Sequence, residues 1–171
     1  MNRLELITKR IFTREAPELD RMLAFWHFKG YKIVFTNGCF DIVHLGHIDY
    51  LAKASQHGNV LIVGLNSDAS VSRLKGNNRP LVDQHARAMV LASLRFVDAV
   101  VVFDEDTPLE LIKKIRPDVL IKGADYKHDE IVGHHVVKEY GGKVSTIQLV
   151  EGYSTTAIEQ KILAGNKGTA L

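Results

Sequence analysis

The stretch KIVFTNGCFDIVHLGH, Lys32–His47, decides the fold. It opens on a β-branched and aromatic apolar run, passes through Asn37-Gly38, and ends on an amphipathic segment that begins near Gly46, so a strand hands over to a helix here. Continuous apolar runs of the same kind recur at 59–66, 98–103, 118–123 and 143–150, the pattern of strands covered on both faces. Between them lie segments with apolar residues three and four apart: His47–His57, Gln84–Phe96, Pro108–Ile115 and Glu130–Tyr140. Strand and helix alternate, which predicts an α/β chain: a single Rossmann-like domain whose mainly parallel, five-stranded sheet is flanked by helices.

Working outward, PELDRMLAFWHFKG (17–30) reads as an entry helix with Pro17 near its start, a stripe of Leu19, Met22, Leu23 and Trp26, and Gly30 at its end. Phe25 and Phe28 flank the stripe, an aromatic group suited to core or dimer packing. Ser154-Thr155-Thr156 is a capping run before a last helix carrying Ile158, Ile162 and Leu163, and GNKGTAL beyond it lacks periodicity. The expected organisation is an N-terminal segment over 1–30, a main domain over 31–163 and a flexible tail over 164–171.

The 22 basic and 20 acidic residues leave a formal net charge of +2. That is no broad basic field, so a nucleic-acid partner is not expected and an anionic ligand should be small and held locally. Cys39 is the only cysteine, no secretory signal is visible, and no apolar run nears the ~20 residues of a membrane span. A cytoplasmic protein without a membrane partner is expected.

In an open parallel sheet, ligands lie beyond the carboxyl ends of the strands, and TNGCFDIVHLGH (36–47) occupies that place. Neither G-x-G-x-x-G nor a P-loop is present. His44 and His47 can both present N–H donors to phosphate oxygens, Gly46 lets a ligand approach the backbone, and the helix beginning there adds its positive end. Zinc is the rival for paired histidines. No further Cys or His stands at finger-like spacing, and His134-His135 are adjacent, so no metal ligand set is expected.

TNGCFDIVHLGH closely resembles the signature of the cytidylyltransferase-like nucleotidyltransferases, whose H-x-G-H grips a triphosphate. NSD (66–68), RLKGNNRP (73–80), Arg87 in QHARAMVLASL, VDAVVVF (97–103), KGADY (122–126) and EGYSTT (151–156) follow in the same order. Together they look most like the bacterial D-glycero-β-D-manno-heptose 1-phosphate adenylyltransferases, from about Lys32 to Ile162. Glycerol-3-phosphate cytidylyltransferases carry an arginine at the head of R-T-E-G-I-S-T-T, where this chain has Leu149, and lack the RLKGxxRP segment.

The resemblance implies attack by a sugar 1-phosphate on the α-phosphorus of ATP, with Mg²⁺ accompanying the nucleotide. His44, His47 and Lys75 are then the catalytic group, Lys75 on a mobile loop hinged at Gly76 and Arg87 on a helix facing the same anions. Thr36, Asn37, Gly38, Cys39 and Phe40 would line the mouth, Cys39 packed rather than reactive. Gly46, Gly123, Asp125, Tyr126, Ser154 and Thr155 complete the nucleotide side. Asp41, Asn66, Asp68 and Arg79 are assigned to the sugar phosphate. The expected partners are ATP, a sugar 1-phosphate, a separate upstream sugar kinase and a second copy in a homodimer. A CTP-dependent enzyme acting on a polyol or other sugar phosphate, and a nucleotide-binding protein without turnover, stand as the rival readings.

Overall fold

The computed structural model describes residues 2–124 and 130–166. In chain order it runs α1 (Arg3–Thr8), β1 (Ile11–Thr13), α2 (Pro17–Phe28), β2 (Ile33–Gly38), α3 (Leu45–Ser55), β3 (Val60–Asn66), α4 (Asp68–Lys75) and α5 (Gln84–Ser93). It continues with β4 (Ala99–Phe103), α6 (Leu109–Ile115), β5 (Val119–Gly123), α7 (His134–Glu139), β6 (Lys143–Ile147) and α8 (Thr155–Asn166). The five apolar runs form β2 to β6, all in parallel pairs. A sixth strand, β1, pairs with β4 at one edge. Three residues, IFT, are too few to show a period, which is why the sequence suggests five strands rather than six.

The order β1-β4-β3-β2-β5-β6 fixes where a ligand can go. The chain winds from β2 to β3 and β4 on one side, then crosses back to lay β5 and β6 on the other. β2 is therefore the topological switch point, and the crevice beyond its carboxyl end is the natural ligand position in such a sheet.

Strand alternation divides the core. Ile33, Phe35, Val60, Ile62 and Leu120 face α2, α6 and α7, where Leu19, Trp26, Ile112 and Val137 are buried. Val34, Leu61, Val63, Leu65 and Ile121 face α3 and α5 with Tyr50, Leu51, Ala88 and Leu91. Two carboxylates stitch the opposite rim of the sheet: Asp118 accepts the Ile33 N–H at 2.7 Å and Asp98 the Leu61 N–H at 2.8 Å. Both hold strand ends whose amides lack a ladder partner.

The entry helix forms as α2, with Trp26 in the core while Phe25 and Phe28 stay exposed. Lys75 was expected on a loop, but it is the last residue of α4. Ser67 caps that helix at the Ser70 N–H, and Gly76 ends it at φ 95°. The expected tail begins inside α8, which runs to Asn166.

Candidate functional site

A cavity of about 650 Å³ opens over the carboxyl end of β2. One wall is the start of α3. His44 is the N-cap of that helix and makes no side-chain capping bond, so its ring is free to serve the cavity and the first-turn amides keep no side-chain acceptor. Its carbonyl accepts the N–H groups of His47 and Ile48, at 2.9 and 3.1 Å. A spacing of three puts both rings on one face. They stack with centroids 3.8 Å apart and planes at 23°.

Phe40 holds this pair from behind. Its backbone lies in the left-handed region, φ 46°, a conformation that costs a non-glycine residue about 1–2 kcal/mol. The sharp turn brings its buried ring edge-on to His47, centroids 5.2 Å apart. Gly46 completes the surface by having no side chain. A Cβ there would stand 3.1 Å from His44 Nδ1 and 3.3 Å from Tyr153 Cβ.

Burial keeps the two imidazoles neutral. His44 is held below the ordinary histidine value by desolvation. His47 is pushed down to about 4, by burial first and by His44 next, with the Ile42 carbonyl opposing and the Lys75 charge adding a further downward push. Nδ1 of each ring is buried without a hydrogen-bond partner in the protein. Unsatisfied buried nitrogens are uncommon in a folded chain, and a pair of them on one cavity wall fits a polar ligand.

Lys75 lines the cavity from the α4 side, as the sequence suggests, though from a helix end. Lys122 enters from β5, its ammonium donating to the Asn37 carbonyl at 3.3 Å. Lys122 heads the KGADY motif, whose lysine is not among the site residues the sequence suggests. The signal was available: Lys122 is the next-to-last residue of a strand that ends at the ligand edge. Asn37, Gly38, Cys39, Phe40, Asn66, Gly123, Ser154 and Thr155 also line the cavity, together with Tyr50, Leu149 and Tyr153, which the sequence reading did not select. Burial pushes the Cys39 thiol up, against the pull of Lys75 and Arg87, so it stays protonated and packed. Ser154 accepts the Ala157 N–H at 3.0 Å, so the start of α8 is capped at the cavity rim.

Other assignments change. The resemblance places Arg87 facing the anions, but it is 1% exposed and four hydrogen bonds hold its guanidinium inside the protein. Nε donates to the Val82 carbonyl at 2.9 Å, Nη1 to the Cys39 and Asn66 carbonyls at 2.6 and 2.9 Å, and Nη2 to Asp68 at 2.7 Å. It braces the cavity floor by tying the ends of β2 and β3 to α4 and α5. Asp68, its partner, does not line the cavity.

Asp41 lines the cavity with both of its oxygens already engaged inside the protein. One accepts the Leu81 and Val82 N–H groups at 2.8 and 3.0 Å, the other Arg79 at 2.8 Å. Burial pushes its carboxyl up, yet the Val82 N–H, the Arg79 guanidinium and the Leu81 N–H together hold it below the ordinary value. Arg79 also pairs with Glu159 on α8, so it links the loop after β2 to the last helix. Thr36 is buried beneath the cavity with its hydroxyl 2.7 Å from that of Tyr50, which donates to the Ile121 carbonyl at 3.2 Å. Asp125 and Tyr126 lie outside the described residues. No group of three or more His, Cys, Asp or Glu side chains is placed to hold a metal ion among the described residues.

The matches to known proteins agree with this geometry. The family model described as cytidylyltransferase-like matches residues 35–161. Curated relatives called bifunctional protein HldE are 56% identical over 144 residues in Magnetococcus marinus and 60% identical over 136 residues in Campylobacter curvus. These alignments cover 84% and 80% of this chain. The chain spans only 30% and 28% of the length of those two relatives. Among solved structures, a lipopolysaccharide core biosynthesis protein from Thermoplasma volcanium is 30% identical, with a TM-score of 0.59 over 73% of this chain and 100% of its own. A pantoate-beta-alanine ligase from Francisella tularensis, 17% identical, aligns at a TM-score of 0.56 over 87% of this chain and 75% of its own, and shares the fold. With the family model spanning β2 through α8 and the paired histidines standing at the switch point, the chain belongs to the cytidylyltransferase-like family.

Proposed function

We propose that the chain transfers the adenylyl group of ATP to D-glycero-β-D-manno-heptose 1-phosphate, giving ADP-heptose and pyrophosphate for lipopolysaccharide core synthesis. The observation that carries the reaction type is the stacked His44–His47 pair, two buried Nδ1 atoms without protein partners, beside Lys75 at the switch point. The ordered motifs shared with heptose adenylyltransferases support the sugar and the base. So do the relatives called HldE and the solved lipopolysaccharide core protein.

The acceptor is a phosphate monoester with a second pKa near ~6, so its attacking oxygen is already ionised at neutral pH and no general base is required. A bond forms from that oxygen to the α-phosphorus, and the α–β bridging bond breaks with its electron pair leaving on pyrophosphate. The protein's part is alignment and neutralisation of charge. His44 and His47 donate to the phosphate chain, Lys75 pairs with its β and γ groups, and the amides at the start of α3 and α8 face the same anions. Arg87, Arg79 and Asp41 hold those groups in register without touching substrate. Magnesium bound to ATP would supply charge neutralisation at the phosphates, and the cations Lys75 and Lys122 on the cavity wall would complement it.

Leu149 and Tyr153 give the cavity an apolar end suited to the face of a base. The reading includes a kinase that supplies the sugar 1-phosphate, a cytoplasmic setting and a homodimer through the exposed Phe25 and Phe28 of α2. No helix among the described residues is long and apolar enough to cross a membrane.

Pyrophosphate release tests the proposal, with four nucleoside triphosphates set against heptose 1-phosphate and several sugar and polyol phosphates. Preferred turnover of ATP with heptose 1-phosphate is expected. Turnover with CTP and a polyol phosphate would replace it with the cytidylyltransferase reading. Silence with every pair, in a protein that still binds nucleotide, would replace it with a binding role.

A further inference from the structure

The cavity has two chemically different walls. One carries His44, His47 and the capped start of α8. The other is made by the turn before α6, with Asp106 and Thr107, and by the segment before α7, with Glu130. Asp106 is ion-paired with Arg73 of α4 at 2.8 Å, so this wall presents mixed charge beside the Thr107 hydroxyl, the kind of polar lining a polyhydroxylated sugar can use.

Lys122 leaves β5 on the face of the sheet covered by α6 and α7. On β5, Leu120 packs towards α2, α6 and α7, and Ile121 towards α3 and α5. The two-residue period therefore projects Lys122 with Leu120, away from the histidine helix. Its ammonium reaches the Asn37 carbonyl at the end of β2. Lys75 comes from α4, which follows β3 on the other flank of β2. The two lysines thus come from elements on opposite flanks of the switch strand, and both line the cavity. In-line displacement places the incoming phosphate and the departing pyrophosphate on opposite sides of the α-phosphorus, and two cations from opposite flanks can serve one each.

From this placement we propose that Lys122 seats the phosphate of the acceptor, while Lys75 serves the pyrophosphate portion of ATP. The inference rests on the adenylyltransferase reading above.

Steady-state kinetics with ATP and heptose 1-phosphate test it through Lys122→Gln. The expected result is a rise of at least ~10-fold in KM for the sugar phosphate, the scale of losing one charge-assisted contact, with KM for ATP within about threefold of wild type. Stabilisation by MgATP in a thermal melt should be unchanged. Lys122→Arg, which keeps the charge, should recover most of the acceptor affinity, and it supplies the test should the glutamine variant melt early. A rise in KM for ATP instead, or an unchanged acceptor KM in a folded variant, overturns the assignment while leaving the adenylyltransferase reading intact. If the wild-type protein does not turn over heptose 1-phosphate at all, the function falls first and this inference with it.

Discussion

Replacing Arg79 by methionine tests whether the site depends on a brace that touches no substrate. The guanidinium is 14% exposed and bridges Asp41, 3% exposed, to Glu159, 38% exposed. Removing one member of a buried ion pair costs about 3–5 kcal/mol, because the other charge is left without its partner. Asp41 retains two backbone N–H donors, which lowers that figure, and loss of the more exposed Glu159 contact adds about 0–1 kcal/mol. The net is about 3 kcal/mol, or roughly 6–12 °C in Tm for a chain of this size. The pH dependence has a fixed sign. Asp41's folded value is held below its unfolded one, so its contribution is present above about pH 4 and is lost as pH falls through the folded value. The deficit of the variant should be full at pH 7 and should shrink below about pH 4. Thermal melts across pH read both, and KM for ATP should rise as α8 loses its tie. A variant that melts like wild type at pH 7 would refute the brace.

Three further outcomes follow from the same geometry. Arg87→Met strips partners from three backbone carbonyls and Asp68 and should lower stability by about 3–5 kcal/mol in a chemical melt, a loss that a surface arginine would not cause. Gly46→Ala adds a methyl against the His44 ring and Tyr153 while improving helix propensity by up to ~1 kcal/mol, so Tm should stay within a few degrees as ATP affinity, by calorimetry, falls at least ~10-fold. His47→Ala should cut turnover at least ~100-fold with a wild-type circular dichroism spectrum, the scale of removing one donor from a transition state.

The sheet was legible because its strands are buried on both faces and read as unbroken apolar runs. β1 was not, since three residues at an edge carry no period. The histidine pair was legible because a spacing of three across a strand-to-helix junction has few uses. The arginines misled for a physical reason: sequence shows a cation near a motif but not whether its donors are already taken. Arg87 and Arg79 both turn inward, and only the carbonyls and carboxylates that packing brings to them explain it. Lys122 was not legible because its role depends on which face of β5 it leaves from, and that is fixed by pairing with β2.

The most direct measurement of the central claim is an NMR titration of the imidazole nitrogens of His44 and His47, with and without saturating MgATP. In the free protein His47 should stay neutral down to about pH 4. With nucleotide bound, phosphate charge beside both rings should raise the two midpoints together, by about 1–3 units. Nucleotide that binds while leaving either ring's titration where it was would contradict the account, because the two imidazoles would then not share one phosphate chain.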